Sequence, residues 1–328
     1  MDTAHLGADT RSVLLFASVF VASLALLLVS ARLFTRSAEA VGLALGMSPF
    51  AVGVLLVSVG TSLPELITSV LATLAGTSEI VAGNVLGANI SNLLLVLAAV
   101  AIAAPGGVRL GERYLLIDLH FLVGSAFLLG LAMLDGRVRR GEGLFLLATY
   151  GLYVAYLLAD PNPEHPPDVS AIVDAPARQR VRAADLVILL ATAAGIYLGA
   201  RYTIWSLEGL ALGLGVPPAI LATTLLSIGT TLPELVVSAI AARQGKSEVA
   251  VGNILGSCVF NALGVAGAAA AIGGVAVPSE MLALPGPVYV AAVLLFYLLT
   301  LDKRVSRWEG ALFGLFYGFF VLEVTRFF

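Results

Sequence analysis

The hexapeptide Gly60-Thr61-Ser62-Leu63-Pro64-Glu65 returns, with one substitution, as Gly229-Thr230-Thr231-Leu232-Pro233-Glu234, an offset of 234 − 65 = 169 residues. The register then holds without a gap: Gly83-Asn84 matches Gly252-Asn253, Gly87 matches Gly256, and Asn92 matches Asn261. Both copies lie inside long apolar runs, so each places a carboxylic acid where lipid hydrocarbon is expected. An ionisable side chain at that depth costs about 2.5 kcal/mol or more and marks function by default. A chain with two such acids in matched positions must fold so that both are shielded from lipid.

The apolar runs recur along the whole chain. Of 328 residues, 59% are hydrophobic and 12% charged, with a mean hydropathy of +1.00. A soluble domain carries roughly twice that charge. Runs of about 20 apolar residues are the signature of transmembrane helices. Ten spans are expected, near 12–34, 39–76, 79–103, 114–134, 142–159, 184–204, 207–243, 248–273, 283–301 and 308–327. The polar stretch 160–182, with Pro161, Pro163, Pro166, Pro167 and Pro176, reads as a linker between halves 1–159 and 183–328. The polar start of the chain lacks the basic segment of a cleaved signal peptide, so the first apolar run reads as the first span.

The repeat reaches beyond the motif: Ala31-Arg32 recurs as Ala200-Arg201, Ser37 and Glu39 as Ser206 and Glu208, and Gly46 and Pro49 as Gly215 and Pro218. Five spans per half is an odd number, so the second half enters the membrane in the opposite sense. The expected fold is therefore an all-α polytopic membrane protein built as two inverted-topology five-helix repeats, an architecture common among secondary transporters. With both termini outside, twelve Lys and Arg residues fall on the cytoplasmic side and six on the outer side. That bias favours both termini outside and the linker in the cytoplasm, although Arg137, Arg139 and Arg140 run against it, and the Ala-, Leu-, Gly- and Arg-rich usage points to a prokaryotic plasma membrane. Basic residues are confined to loops and helix ends, which excludes a nucleic-acid partner. The single cysteine, Cys258, excludes a disulfide or cysteine-based metal framework.

Proline within a span lacks an N–H and clashes with the carbonyl four residues back. Pro64 and Pro233 are therefore expected to break their helices inside the membrane, which is tolerated only where the backbone is buried in protein or lines a wet cavity. Each break presents carbonyl oxygens, the hydroxyls of Thr61 and Ser62 or of Thr230 and Thr231, and the carboxylates of Glu65 or Glu234. All are hard oxygen donors, suited to Ca²⁺, Na⁺ or Mg²⁺. A facing wall comes from the next span of each half. Ser257 and Asn261 lie four apart on one helical face, as do Ala88 and Asn92. Gly83 with Gly87 and Gly252 with Gly256 let helices approach closely. Two carboxylates carry a charge of −2, which one Ca²⁺ or two Na⁺ neutralise. An empty site cannot readily pass through a dry occluded state, so exchange becomes obligatory.

A structural role stands beside each functional one. Either Glu could anchor a kinked helix by hydrogen bonding, and the hydroxyls could cap the freed carbonyls. Asn92 and Asn261 could join helices, the role favoured for Asn84 and Asn253. Glu79 after Ser78, Glu248 after Ser247, and Glu39 and Glu208 after Ser37 and Ser206 read as helix-start pairs.

The segments Gly60–Glu65 with Gly83–Asn92, and Gly229–Glu234 with Gly252–Asn261, resemble the two α-repeats of the sodium/calcium exchanger family, within the cation/calcium antiporter superfamily. The ten-span layout extends that resemblance over nearly the whole chain. It implies a Ca²⁺/Na⁺ antiporter without resident cofactor, working by alternating access, whose first and sixth spans slide across a core of the second, third, seventh and eighth. Carried over by position, Glu65 and Glu234 are the central Ca²⁺ ligands, joined by Thr61 and Thr230. Ser62, Thr231 and Ser257 add hydroxyls, and the carbonyls of Ser58 and Ser227 complete the Na⁺ sites. Ala88 stands where many members have Ser and Asn261 where some have Asp, so the resemblance does not fix the ion stoichiometry.

Other functions remain to be separated. The same fold could be coupled to H⁺ or carry Mg²⁺, Mn²⁺ or K⁺, although the proton-coupled branch has Gly-Asn followed shortly by Glu in place of this motif. A cation channel could line its pore with the same oxygens. The spans carry no Ser/His/Asp set, paired metal-binding histidines or phosphate loop, which argues against an enzyme. Beyond the ions and the lipid bilayer no partner is indicated, and the sequence is silent on oligomeric state.

Overall fold

The computed structural model describes residues 10–110, 119–159, 183–213 and 231–327. The helices are α1 (Thr10–Ala44), α2 (Pro49–Thr61), α3 (Leu63–Leu74), α4 (Glu79–Ala103), α5 (Leu119–Met133), α6 (Arg140–Leu158), α7 (Ala183–Gly213), α8 (Leu232–Arg243), α9 (Ser247–Gly273), α10 (Ser279–Leu299) and α11 (Arg307–Phe327). Four two-residue strands join them: β1 (Val108–Arg109), β2 (Arg137–Val138), β3 (Val275–Ala276) and β4 (Arg304–Val305). Among the described residues seven helices are long and apolar enough to cross a membrane, or eight if α2 and α3 form one bent span. The expected fourth span is represented by the shorter α5, and the seventh by α8. Residues 111–118 and 214–230, which precede these two helices, lie outside the described residues, as does the expected linker.

The boundary expected between the first two spans is in the wrong place. α1 runs unbroken through Arg36 and Glu39 to Ala44, because Phe34, Ala38 and Val41 are buried against the core and no proline interrupts the turn. It ends where Gly46 takes a φ of +80°, a conformation that costs glycine least, and Met47 N–H donates back to Gly42 O at 2.8 Å. Pro49 then opens α2, where a missing N–H does no harm. The equivalent α7 likewise continues through the expected break near Leu207 to Gly213. Glu39 is consequently no helix-start residue. It lies within α1 and pairs with Lys246 at the entrance to α9.

Burial divides the helices into two classes. The apolar windows of α4 and α9 are 78% and 89% buried, whereas those of α1 and α7 are 17% and 22% buried. α4 and α9 form the centre, and α1 and α7 pack together along one side with most of their surface outward. Their seam uses small residues. A Cβ on Gly199 would lie 2.7 Å from Leu27 N, Gly195 faces Ser30, and Thr203 Oγ1 donates to Ser23 Oγ at 3.0 Å. Partners 23–203, 27–199 and 30–195 run in opposite order, so these two helices are antiparallel.

The halves interlock at the membrane ends. β1 pairs antiparallel with β4 (Val108 with Val305) and β2 with β3 (Val138 with Val275). The strands match across the repeat at 275 − 108 = 167 and 304 − 137 = 167, so each ribbon takes one strand from each half. β1 precedes α5 and β2 follows it, while β3 precedes α10 and β4 follows it. The crossed pairing therefore sets α5 and α10 antiparallel. Gly143 of α6 packs on Ala270 of α9, and Gly310 of α11 packs on Ala98 and Ala101 of α4, so the last helix of each half braces the other half's central helix. Asn89 Nδ2 donates to Cys258 O at 3.3 Å, and Cys258 Sγ lies 3.9 Å from Asn89 O. Since 258 − 89 = 169, this reciprocal contact joins two positions separated by the offset of the sequence repeat.

Ser78 does not cap α4 with its hydroxyl; that group accepts from Ala276 N at 3.2 Å and ties β3 to the start of α4. Ser247 likewise makes no such cap, being already the first residue of α9.

Candidate functional site

The motif bends its helix without unwinding it. α2 and α3 meet at 45° across Ser62, which has φ −92° and ψ 10°. Thr231, its counterpart at 62 + 169, has φ −90° and ψ 0° and opens α8 in the same way. Pro64 and Pro233 sit in the first turn of the new helices, where a helix tolerates proline best. Across the bend Ser62 N–H still reaches Ser58 O at 2.9 Å and Leu66 N–H reaches Ser62 O at 3.2 Å. Glu65 and Glu234 thus fall in the first turn of a helix that starts inside the protein, where the aligned peptide dipoles favour negative charge.

Both carboxyl side chains are buried, at 2% and 1% exposure, and the two lie within electrostatic reach of each other. Ser62 Oγ donates to Glu234 Oε1 at 2.8 Å and lies 3.0 Å from Ser257 Oγ. With its single proton on the carboxylate, Ser62 accepts from Ser257. Thr61 Oγ1 lies 3.2 Å from both Ser58 O and Asn253 Oδ1. The structure therefore brings together Glu65, Glu234, Thr61, Ser62 and Ser257, while Thr231, Asn92 and Asn261 are each buried. The Ser58 carbonyl accepts from Ser62 N–H and competes with Asn253 Oδ1 for the single Thr61 proton. Thr230 and Ser227 lie outside the described residues.

Several of these buried oxygens have no hydrogen-bond partner among the described residues: both of Glu65, Oε2 of Glu234, Oγ1 of Thr231, and the amides of Asn92 and Asn261. A buried unpaired polar group costs about 1–3 kcal/mol, and more if charged. Buried, partnerless carboxylate, hydroxyl and amide oxygens are the donor chemistry that suits a hard cation. Asn92 opens a π-helical turn, Asn92–Val96, and Asn261 lies in the matching turn Phe260–Val265. Such turns are rare and frequent at functional sites, because they rotate the following side chains relative to a regular helix.

The sodium/calcium exchanger protein family model matches residues 15–159 and 185–326, nearly the entire chain. The chain belongs to the sodium/calcium exchanger family. It is similar to sodium/calcium exchanger MaX1 of Methanosarcina acetivorans, 29% identical over 340 residues that cover 93% of this chain and 97% of that one. Inner membrane protein YrbG of Escherichia coli is 28% identical over 268 residues, covering 79% and 80%. Among solved structures, the sodium/calcium exchanger from Methanococcus jannaschii superposes with a TM-score of 0.77 at 27% identity, covering 94% of this chain and 98% of that one. An integral membrane protein follows from the family and the apolar helices together.

Around the exchanger's site a second layer was only half visible in the sequence. Asn84 Nδ2 donates to Ser69 Oγ at 3.0 Å, and Asn253 Nδ2 to Ser238 Oγ at 2.8 Å. Both serines sit four residues after the motif Glu and differ by 238 − 69 = 169, a signal that the repeat register contained. The two asparagines do bridge helices, as expected, but Asn253 also holds Thr61. Asn253→Ala is expected to lower protein stability by about 1–2 kcal/mol by orphaning Ser238, and to weaken cation binding about tenfold by releasing Thr61. Thermal unfolding with and without Ca²⁺ separates the two effects; a shift in unfolding alone, with unchanged Ca²⁺ stabilisation, would restrict Asn253 to packing.

Proposed function

We propose that the exchanger moves Ca²⁺ against Na⁺ by alternating access, with both ions visiting the cage around Glu65 and Glu234. The observation that carries this reading is the burial of two carboxylates at matched helix starts, three of whose four oxygens have no hydrogen-bond partner among the described residues. Their negative charge has to be matched before the site can close away from water, so a departing cation must be replaced. In this reading Glu65 and Glu234 are central, with Thr61 and Thr230 the other Ca²⁺ ligands. Ser62, Thr231 and Ser257 serve through hydroxyls, Asn92 and Asn261 through amide oxygens, and the Ser58 and Ser227 carbonyls border the Na⁺ positions. Thr61, by giving its proton to Asn253 Oδ1, leaves the Ser58 carbonyl a lone pair for an ion.

The scaffold is read as ten spans in two inverted repeats, 1–159 and 183–328, joined through 160–182. The antiparallel α1–α7 and α5–α10 pairs support the inversion, and α5 and α8 supply the spans that length alone leaves short. α1 and α7, shallowly buried and joined by small residues, are the elements placed to slide over the α4–α9 core. The reading keeps both termini outside, and it keeps a prokaryotic inner membrane, in line with the similarity to inner membrane protein YrbG of Escherichia coli. The arginine-rich turn that opposes this orientation is partly neutralised. Arg139 lies 2.6 Å from Asp135 and 3.7 Å from Glu142, and its hydrogen bond holds the Asp135 carboxyl below its ordinary range.

In vesicles containing the purified protein, an outward Na⁺ gradient is expected to drive Ca²⁺ uptake and an outward H⁺ gradient alone is not. Uptake driven by protons and indifferent to Na⁺ would transfer the fold to the proton-coupled class, and uptake with no trans cation would make it a channel. Acidification is expected to inhibit, because protonating either buried carboxylate discards the counter-charge of the cation. Flux that stayed constant down to strongly acid pH would detach the two glutamates from transport.

A further inference from the structure

Away from the ion site, one contact joins the two parts that alternating access sets in relative motion. Arg139 pairs with Asp135 and Glu142, and Arg326 with Glu323, all within three or four residues along the chain. Glu39 of α1 instead pairs with Lys246, the residue that caps the start of α9. The two side chains are 27% and 25% exposed, so the pair is partly shielded from water and less screened than one on an open surface. It borders a cleft of about 550 Å³ whose other walls include Pro49, Gly106, Arg109 and Glu248. The cleft gives the Glu39 side chain room to withdraw.

A contact between a sliding helix and a fixed core holds the seam between them shut at its own end. A slide of one helical turn, about 5.4 Å, carries Glu39 out of ion-pair range of Lys246. The repeat puts no cation at the matched place on the opposite face. The position equivalent to Lys246 is 246 − 169 = 77, an exposed threonine whose hydroxyl donates to Ala72 O at 3.2 Å. Equal ion pairs at both ends would favour neither state of the cycle. One at a single end favours the state in which that end is shut.

Resting on the alternating-access reading, we propose that Glu39 and Lys246 form a one-sided latch that holds the exchanger closed on the face where α9 begins. The structure shows the latch engaged. Opening on that face parts the two side chains, and closing brings them together again. With both termini outside, the latched face is the cytoplasmic one.

The test measures half-saturating Ca²⁺ for exchange at each face separately, in right-side-out and inside-out membrane vesicles carrying the full-length protein. Glu39→Gln and Lys246→Gln are each expected to lower the value at the face bearing Lys246 and to raise it at the other. The shift is about two- to fivefold, because apparent affinity follows the fraction of protein open to that face. The charge swap Glu39→Lys with Lys246→Glu is expected to return both values towards native. Unchanged values in the single variants, or shifts in the same direction at both faces, would overturn the latch while leaving antiport intact. A swap displaced as far as the single variants would do the same. Absence of Na⁺-driven Ca²⁺ flux in the native protein would overturn antiport and the latch together. Glu39→Cys with Lys246→Cys, bridged by a bifunctional thiol reagent that the buried Cys258 escapes, is expected to stop flux. Native flux after complete bridging would show that the two ends never part, and would overturn the latch.

Discussion

Replacing Glu65 or Glu234 by Gln is expected to abolish Ca²⁺ exchange while leaving the helical frame intact. Gln keeps the volume and one acceptor oxygen, so Ser62 retains a partner when Glu234 is changed. What disappears is one of two charges facing a divalent ion in a buried cage. Removing one member of a buried charge pair costs about 3–5 kcal/mol, a loss of roughly 10²–10³-fold or more in Ca²⁺ affinity. The same change removes an unpaired buried charge from the ion-free protein, which costs dearly to keep. The ion-free variants are therefore expected to melt at or above the temperature of the ion-free native protein, and to lose the rise in melting temperature that Ca²⁺ confers on the native one. Near-native flux in either variant would sink the site assignment. A variant that unfolds without cations would show instead that the carboxyl holds the bend.

Gly256→Ala is expected to do the opposite, damaging the frame itself. A Cβ at Gly256 would overlap Val54 O and Ser58 Oγ and come within 2.7 Å of Val54 Cα. Gly252 is as tight, 2.6 Å from Phe50 O and 3.2 Å from Gly53 Cα. Backbone cannot swing aside as a side-chain end can, so α9 has to part from α2. Overpacking of this kind costs about 1–3 kcal/mol, sometimes more. The displacement would carry Ser58, Thr61 and Ser62 away from Asn253 and Ser257, so binding falls with stability. Melting temperature and Ca²⁺ flux are both expected to drop in Gly256→Ala. Gly318→Ala, on the outward face of α11 with no atom within 4 Å of the new methyl, is expected to leave both unchanged. Native-like melting and flux in Gly256→Ala would show that this seam tolerates a methyl after all.

The doubled motif, the buried acids and the interleaved small residues could all be read from the chain, because a fixed register repeats them in matching chemistry. Features without matching chemistry stayed hidden. Asn89 and Cys258 occupy equivalent positions but are different residues, so nothing in the sequence marks their contact. The π-helical turns leave no composition of their own and become visible only through the backbone. The end of α1 was misplaced because Arg32, Arg36 and Glu39 look like a membrane boundary. In the fold Glu39 meets Lys246, a partner 246 − 39 = 207 residues away that no local pattern announces. The four strands are two residues long, too short for any alternation to betray them.

Those crossed ribbons carry an evolutionary corollary. Because β1 joins the counterpart of β2, and β2 the counterpart of β1, a protein consisting of one half could close both ribbons with an upside-down copy of itself. The helix bracing of Gly143 and Gly310 would be satisfied in the same encounter. The present chain is in this sense a tethered two-fold dimer, whose ancestor would have had identical residues at both members of every equivalent pair. A dimer of one identical half could not hold a serine at position 257 and an alanine at position 88, as this chain does.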